Sequence, residues 1–411
     1  MRHILLSVLF VCLFSFSGLQ AATAPVQKVT TAKDVIDFKR LERIDELMQR
    51  AIANEDLPSA VCYVAYKGAP VYYKTFGLAD RENGKSLKKD AIFRNASQTK
   101  LVTTVALMTL YEQGLFRLED PVKKYLPEFS NPVVYVSGSV AENNLVTRPA
   151  KGNITIRELL CHSSGLGYEP YDQDLEKIHY NQQMTTEEAV KRMAKLPLKH
   201  DPGAGFTYGY SLDVAGRLAE VIAGVRLDSL IRQRVLDPLD MSDSYFFLPK
   251  NKVNRLVPLY QKPTPDATVA LADSADRFYP LAQNQLYFGG GAGLNGTIED
   301  YAHLCQMILD KGVYDKKRIL SRKTIEQMST DQLFGVKGNY KFGLGLEIEK
   351  EEDFARNMKT PGSLSWSGYY GTKYMIDPEN DLIILMYTNK VSWKGEDIWG
   401  DMLRAVYMSL K

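Results

Sequence analysis

Cysteine is scarce in this chain, with four among 411 residues. Cys12 lies in an apolar N-terminal run; Cys62, Cys161 and Cys305 are far apart and odd in number. Such a set builds no disulfide framework, and no C-x-x-C pair occurs. Histidine is almost as rare. His162, His179, His200 and His303 lie beyond the N-terminal run, none paired with another at metal-ligand spacing, and H-E-x-x-H is missing. No metal and no cofactor is therefore expected. Net charge nearly vanishes, since 51 Lys and Arg against 49 Asp and Glu leave +2. Such a balance carries no electrostatic footprint for nucleic acid. No unit of about 20–50 residues repeats, which excludes solenoids and propellers. Past the N-terminus there is no run of about 18 apolar residues, so no membrane span is expected in the mature chain.

What remains is ordinary globular composition, 45% hydrophobic and 24% charged, with 24 tyrosines suited to packing and pocket linings. The N-terminus reads as a secretory signal over residues 1–21. Arg2 and His3 precede the apolar run Ile4 to Phe16, and Gly18-Leu19-Gln20-Ala21 offers small residues at a cleavage point. Ala22-Thr23-Ala24 also fits the cleavage pattern but would leave Pro25 first. Cys12 lacks the small residues that a lipoprotein signal places before it, and reads as packing. A secreted or periplasmic location follows as an expectation. Residues 22–36, rich in Thr, Ala and Lys, read as a loose linker.

Beyond the linker, Phe38 to Asn54 shows helical spacing, with Leu41, Ile44, Leu47, Met48 and Ile52 on one face. Ala60 to Tyr66 and Val71 to Phe76 read as strands joined by Lys67-Gly68-Ala69-Pro70. Leu101 to Tyr111 is apolar nearly all round and should be a buried helix. Residues 117–285 are rich in turns and short helical patterns. Later, Thr297 to Leu309 reads as a helix capped by Thr297; Gly343 to Ile348, Lys373 to Ile376 and Leu382 to Thr388 as strands; and Asp397 to Leu410 as a closing helix. The expected class is α+β, an antiparallel sheet flanked by helices. Residues 37–116 and 286–411 would form the α/β domain, and 117–285 a mostly helical inserted domain.

Two S-x-x-K strings occur. Ser86-Leu87-Lys88-Lys89 sits in a charged turn and reads as solvated surface. Ser97-Gln98-Thr99-Lys100 opens the buried helix. Residues three apart share a helix face, so Lys100 can reach the Ser97 hydroxyl. Burying an ammonium is costly, which favours a neutral amine able to act as a base. The N–H groups and dipole at the helix start favour an oxyanion. The bland alternative is a serine cap followed by an exposed lysine, and it fits poorly before so apolar a helix. A Ser-His-Asp hydrolase would want G-x-S-x-G after a strand, and the string does not occur. His162-Ser163-Ser164-Gly165 reads as a turn.

Several blocks in a specific order resemble the serine β-lactamase and D-alanyl-D-alanine-peptidase superfamily, in its class C or esterase-like branch. Besides S-Q-T-K they are Ile154 to Leu166, Pro202-Gly203, Phe206 to Gly216, Gly289 to Leu294, Glu299-Asp300-Tyr301 and Trp366-Ser367-Gly368. The resemblance implies that Ser97 is the acylated nucleophile, Lys100 its partner, and Tyr208 a proton shuttle that acts as base and then acid. Where the family often has asparagine, two residues after that tyrosine, this chain has Tyr210; Ser211 is assigned part of the amide's hydrogen-bonding role. Where lactamases carry K-T-G or H-T-G, this chain carries Trp366-Ser367-Gly368, and Lys359-Thr360 is followed by Pro361. The second oxyanion donor would be the Tyr369 N–H beside that of Ser97. The motif's departure removes a cation for a substrate carboxylate. The implied activity is a secreted serine hydrolase acting through an acyl-enzyme on small ester or amide substrates, esterase first. A β-lactamase or D-amino-acid peptidase, an acyltransferase using the same acyl-enzyme, and a silent binding protein are the alternatives.

Overall fold

The structure, a computed structural model, describes residues 31–411 except 140–141, 170–174, 176–183, 265–266, 274–279, 282–285, 337–339 and 392–396. The expected signal segment and most of the linker lie outside the described residues. Seven strands form the main sheet: β1 (Ser59–Tyr66), β2 (Ala69–Asp80), β3 (Lys85–Ser86), β4 (Glu347–Ile348), β5 (Leu364–Ser367), β6 (Thr372–Asp377) and β7 (Leu382–Tyr387). Their order is β4-β5-β6-β7-β1-β2-β3, and every pairing is antiparallel. Both ends of the chain thus contribute to one α+β architecture.

All eight residues of β1 are buried, because both faces of the sheet are covered. Val61, Tyr63 and Ala65 enter one core with Leu385 and Tyr387; Cys62, Val64 and Tyr66 enter the other with Ile384 and Met386. Five helices matter for the site and its support: α1 (Arg43–Ala53), α2 (Thr99–Glu112), α3 (Ser211–Ala223), α4 (Ile298–Leu309) and α5 (Ile398–Tyr407). Helices α2, α3 and α4 fill the first core, and α1 and α5 the second. Each large apolar side chain buried this way contributes roughly 1.5–3 kcal/mol. Between residues 117 and 285 the described elements are helices, of which α3 is the longest, and two small two-stranded pairings, Val133–Ser137 with Val146–Pro149 and Tyr260–Gln261 with Ala270–Leu271.

Local differences from the sequence expectations have physical causes. The β1–β2 turn is only Lys67-Gly68, with φ of 49° and 77°, a left-handed pair that suits a two-residue hairpin. Ala69 and Pro70 therefore belong to β2, with a register shift at Val64/Ala65 that accommodates the proline. The helix expected over Phe38 to Asn54 is divided at Glu42 into Phe38–Leu41 and α1. Residues 31–36, expected in a loose linker, carry the short helix Ala32–Val35, and Ile36 bridges Leu410. Of Gly343 to Ile348 only Glu347–Ile348 is a strand. Gly345 has φ 79°, its N–H donates to the Leu160 carbonyl, and a side chain there would strike Thr104 on α2. Thr297 caps α4 as expected, accepting from the Asp300 N–H at 3.1 Å.

Candidate active site

Ser97 occupies a 3₁₀ turn, Ala96–Gln98, that feeds directly into α2. Ala96 is held at φ 45°, a left-handed conformation that costs a non-glycine residue energy and persists only where its surroundings enforce it. Those surroundings are visible. The Thr99 hydroxyl donates to the Ala96 carbonyl at 2.7 Å and accepts from the Leu294 N–H at 3.0 Å. The Asn95 N–H returns to the Leu294 carbonyl. From the core, Tyr301 on α4 donates to the Gln98 carbonyl at 3.0 Å, and Tyr387 on β7 to the Gln98 side chain at 2.5 Å. Ala96 and Gln98 are buried, whereas Ser97 keeps part of its surface open.

Lys100 follows in the first turn of α2 and is 1% exposed. Its Nζ donates to the Gly291 carbonyl at 2.7 Å, to the Tyr168 hydroxyl at 3.3 Å and to Ser97 Oγ at 3.4 Å. It also lies over the Tyr208 ring, 4.6 Å from the centroid. The Tyr208 hydroxyl is contacted from another side, by Trp366 Nε1 at 3.4 Å. Lys100 and Tyr208 thus meet ammonium to ring face, and the phenol that Lys100 reaches through oxygen is Tyr168.

The walls around Tyr208 are aromatic. Trp366, His162 and Tyr168 have ring centroids 5.2, 4.7 and 5.6 Å from it. His162 is wholly buried at φ 58°, and among the described residues neither ring nitrogen has a hydrogen-bond partner. Burial first, and the Lys100 charge second, hold its imidazole well below the usual 6.5, so it is a neutral wall. Much of Tyr168 faces solvent, but its hydroxyl turns inward to Lys100. Burial of that hydroxyl, followed by Tyr208, Asp213 and Tyr210, pushes it well above the usual phenol range. Tyr168 is therefore a neutral acceptor for the ammonium.

The third motif ends β5 beside Ser97. The Thr372 hydroxyl on β6 donates to the Asn95 carbonyl at 3.2 Å, and the Gly368 N–H donates to the Thr372 carbonyl at 2.7 Å. A side chain at Gly368 would collide with that same Asn95 carbonyl. The hairpin is thereby fastened to the residues just before Ser97. Among the described residues, neither the Ser97 nor the Tyr369 N–H donates to a protein acceptor. Both remain available to a developing oxyanion.

Two of the residues assigned from the sequence stand apart. Ser211 has no exposed surface, and its hydroxyl is engaged by Ser164 at 2.8 Å; it does not line the opening. Ser367 is exposed and pairs with Lys373, on the sheet face opposite Trp366. By the same alternation Lys373 faces the terminal helices. Lys359 is held by Glu349, with both oxygens at 3.0 Å. Neither lysine replaces the cation that the third motif lacks. Tyr168 escaped the sequence reading because it lies just past the matched block ending at Leu166. His162 was inside that block but was read only as a turn.

The profile of the beta-lactamase family matches residues 44–407. The chain belongs to the beta-lactamase family. Among its relatives, this beta-lactamase-family chain is similar to Esterase EstB of Burkholderia gladioli, 28% identical over 376 residues, covering 84% of this chain and 90% of EstB. It is also similar to the monacolin J acid methylbutanoyltransferase of Aspergillus terreus, 26% identical over 389 residues, covering 88% of this chain and 93% of that one. Among solved structures, EstCE1, described as a hydrolase with promiscuous acyltransferase activity, superposes with a TM-score of 0.72 at 25% identity, over 90% of this chain and 99% of EstCE1. The beta-lactamase-family protein is a serine hydrolase, on a fold shared with esterases and acyltransferases.

Proposed function

We propose that this serine hydrolase is a carboxylesterase for neutral esters, with Ser97 as nucleophile. Ser97 Oγ bonds to the ester carbonyl carbon, and its proton passes into the Lys100–Tyr208 pair. The oxyanion is received by the N–H groups of Ser97 and Tyr369. Collapse breaks the bond to the leaving alkoxide, which takes the proton from Tyr208, and an acyl-Ser97 remains. Water, activated by the same pair, then releases the acid.

The observation that carries the ester assignment is Trp366. Its indole occupies the third-motif position, its N–H points at Tyr208, and the nearby Lys359 and Lys373 are directed elsewhere. A neutral acyl group meets an apolar wall there, whereas a carboxylate would be desolvated without a partner. Transfer of the acyl group to an alcohol in place of water is the second reading, supported by the acyltransferase among the relatives. Residues 1–21 support a secreted or periplasmic setting.

The test is Ser97→Ala, with p-nitrophenyl butyrate turnover and intact mass as readouts. Turnover should fall below about a hundredth of wild type and the acyl adduct should vanish, because losing a covalent nucleophile typically costs far more than that. A variant that keeps its activity sinks the assignment.

A further inference from the structure

Asp213 lies in the first turn of α3, is 4% exposed, and forms no ion pair among the described residues. Its Oδ1 accepts two neutral donors, the Tyr287 hydroxyl at 2.5 Å and the Gly291 N–H at 3.1 Å. Gly291 is the residue whose carbonyl takes the shortest bond from Lys100, at 2.7 Å. One residue earlier, the Gly290 carbonyl accepts from the Thr103 hydroxyl on α2 at 2.8 Å. A Cβ at Gly290 would strike the Leu212 carbonyl, and one at Gly291 would strike the Asp213 carboxylate. The glycine turn is thus wedged between α3 and α2 with no room for side chains.

Two costs meet at this turn. A buried carboxylate is unfavourable unless its oxygens are satisfied, and so is a buried ammonium. Among the described residues, neither Asp213 nor Lys100 pairs with an opposite charge directly. Each is bonded to the backbone of Gly291, the carboxylate at its N–H and the ammonium at its carbonyl. We propose that Asp213 is a positioning residue for Lys100: it fixes the Gly291 turn, and the turn sets the distance between the Lys100 ammonium and Ser97 Oγ. Asp213 touches neither Ser97 nor the reacting atoms, so its effect runs through the lysine. The inference rests on the reading of Lys100 as the nucleophile's partner.

The experiment measures the rate at which a fluorophosphonate labels Ser97, by intact mass, in the full chain. Asp213→Asn keeps the volume and weakens the anchor. Gly291→Ala displaces the same turn from the other side, and covers the case in which Asp213→Asn does not fold. Each should slow labelling and lower kcat for p-nitrophenyl butyrate by about ten- to a hundredfold, the cost of misplacing a catalytic group by about an ångström. KM should stay within about threefold, since neither residue contacts substrate. The deciding comparison is the same pair of substitutions in a Lys100→Ala background. Labelling is irreversible, so even a slow residual rate accumulates to a measurable mass shift. With the lysine gone, Asp213→Asn should change that rate by less than about twofold, because residues acting through one another fail together. An equal slowdown in both backgrounds would show a merely structural role and overturn the proposal, as would wild-type rates in both single variants. A Lys100→Ala variant that labels at the wild-type rate would overturn the catalytic reading beneath it.

Discussion

On the proposed reading, Trp366 is the side chain that narrows the substrate range. It removes a positive charge, packs its ring against Tyr208 and Phe342, and turns its N–H onto the Tyr208 hydroxyl. A charge-assisted hydrogen bond to a substrate carboxylate contributes about 1.5–3 kcal/mol, roughly ten- to a hundredfold in rate when felt in the transition state. The wild type should therefore turn over p-nitrophenyl butyrate with a kcat/KM at least about a hundredfold above that for nitrocefin. Trp366→Lys should raise the nitrocefin-to-ester ratio by about tenfold or more, partly by improving the lactam and partly by exposing Tyr208 and slowing the ester. Paired steady-state kinetics at equal pH and salt check this. An unchanged ratio would mean that the side chain at this position does not set the substrate class.

The element that matters most is the β5–β6 hairpin. Its backbone carries the Tyr369 N–H, and the Thr372 hydroxyl ties it to the Ser97 turn through the Asn95 carbonyl. Gly368 lets the two backbones approach. Gly368→Ala would drive a methyl group into the Asn95 carbonyl and the Thr372 hydroxyl, and backbone cannot swing aside as a long side chain can. The hairpin must then lift away from Ser97. Loss of one oxyanion donor typically costs about 10²–10³ in kcat. Gly368→Ala should show a loss of that order with KM little changed, and burst-phase acylation should slow in parallel. If acylation keeps its wild-type rate while only KM rises, the hairpin binds substrate but does not stabilise the oxyanion.

At the scale of the whole molecule, two titratable groups, the half-buried Glu347 and the buried His162, bend the stability curve in opposite directions. Burial raises the Glu347 carboxyl from the usual 4.5 to about 7, with Glu349 adding to it and Lys359 opposing. Between those values the folded protein holds a proton that the unfolded chain has released, so stability falls as pH rises from 4.5 to about 7. His162 acts from the other side. Its folded form stays neutral where the unfolded imidazole takes a proton, so stability falls as pH drops below 6.5. Glu347→Gln should therefore raise the melting temperature at about pH 8 more than at about pH 5. His162→Phe, which fills the same aromatic wall, should do the reverse. Thermal scans of both variants across that range give the slopes. Parallel curves for wild type and Glu347→Gln would show that this carboxyl is not proton-bound in the folded state.

The sequence by itself determined what depends on local order. Leu101 to Tyr111 of helix α2 is apolar nearly all round and was bound to be buried. Thr297 stands where a cap must stand, and Ser97 and Lys100 share a helix face through their spacing alone. The matched blocks also implied Tyr208 and the third motif, because family order is a property of the chain. Tertiary structure decided everything that depends on which surfaces meet. Ser211 looked available in the sequence and is sealed against Ser164. Ser367 and Trp366 are neighbours in the chain, yet a strand sends them to opposite faces. Lys100 finds its closest partner at Gly291, 191 positions away, and a phenol at Tyr168 that no motif marked. Asp213 reads in the sequence as one more residue of a matched block. Only folding brings it to the other side of the glycine turn that holds the lysine, since a contact between distant segments exists only once the core between α2 and α3 has closed.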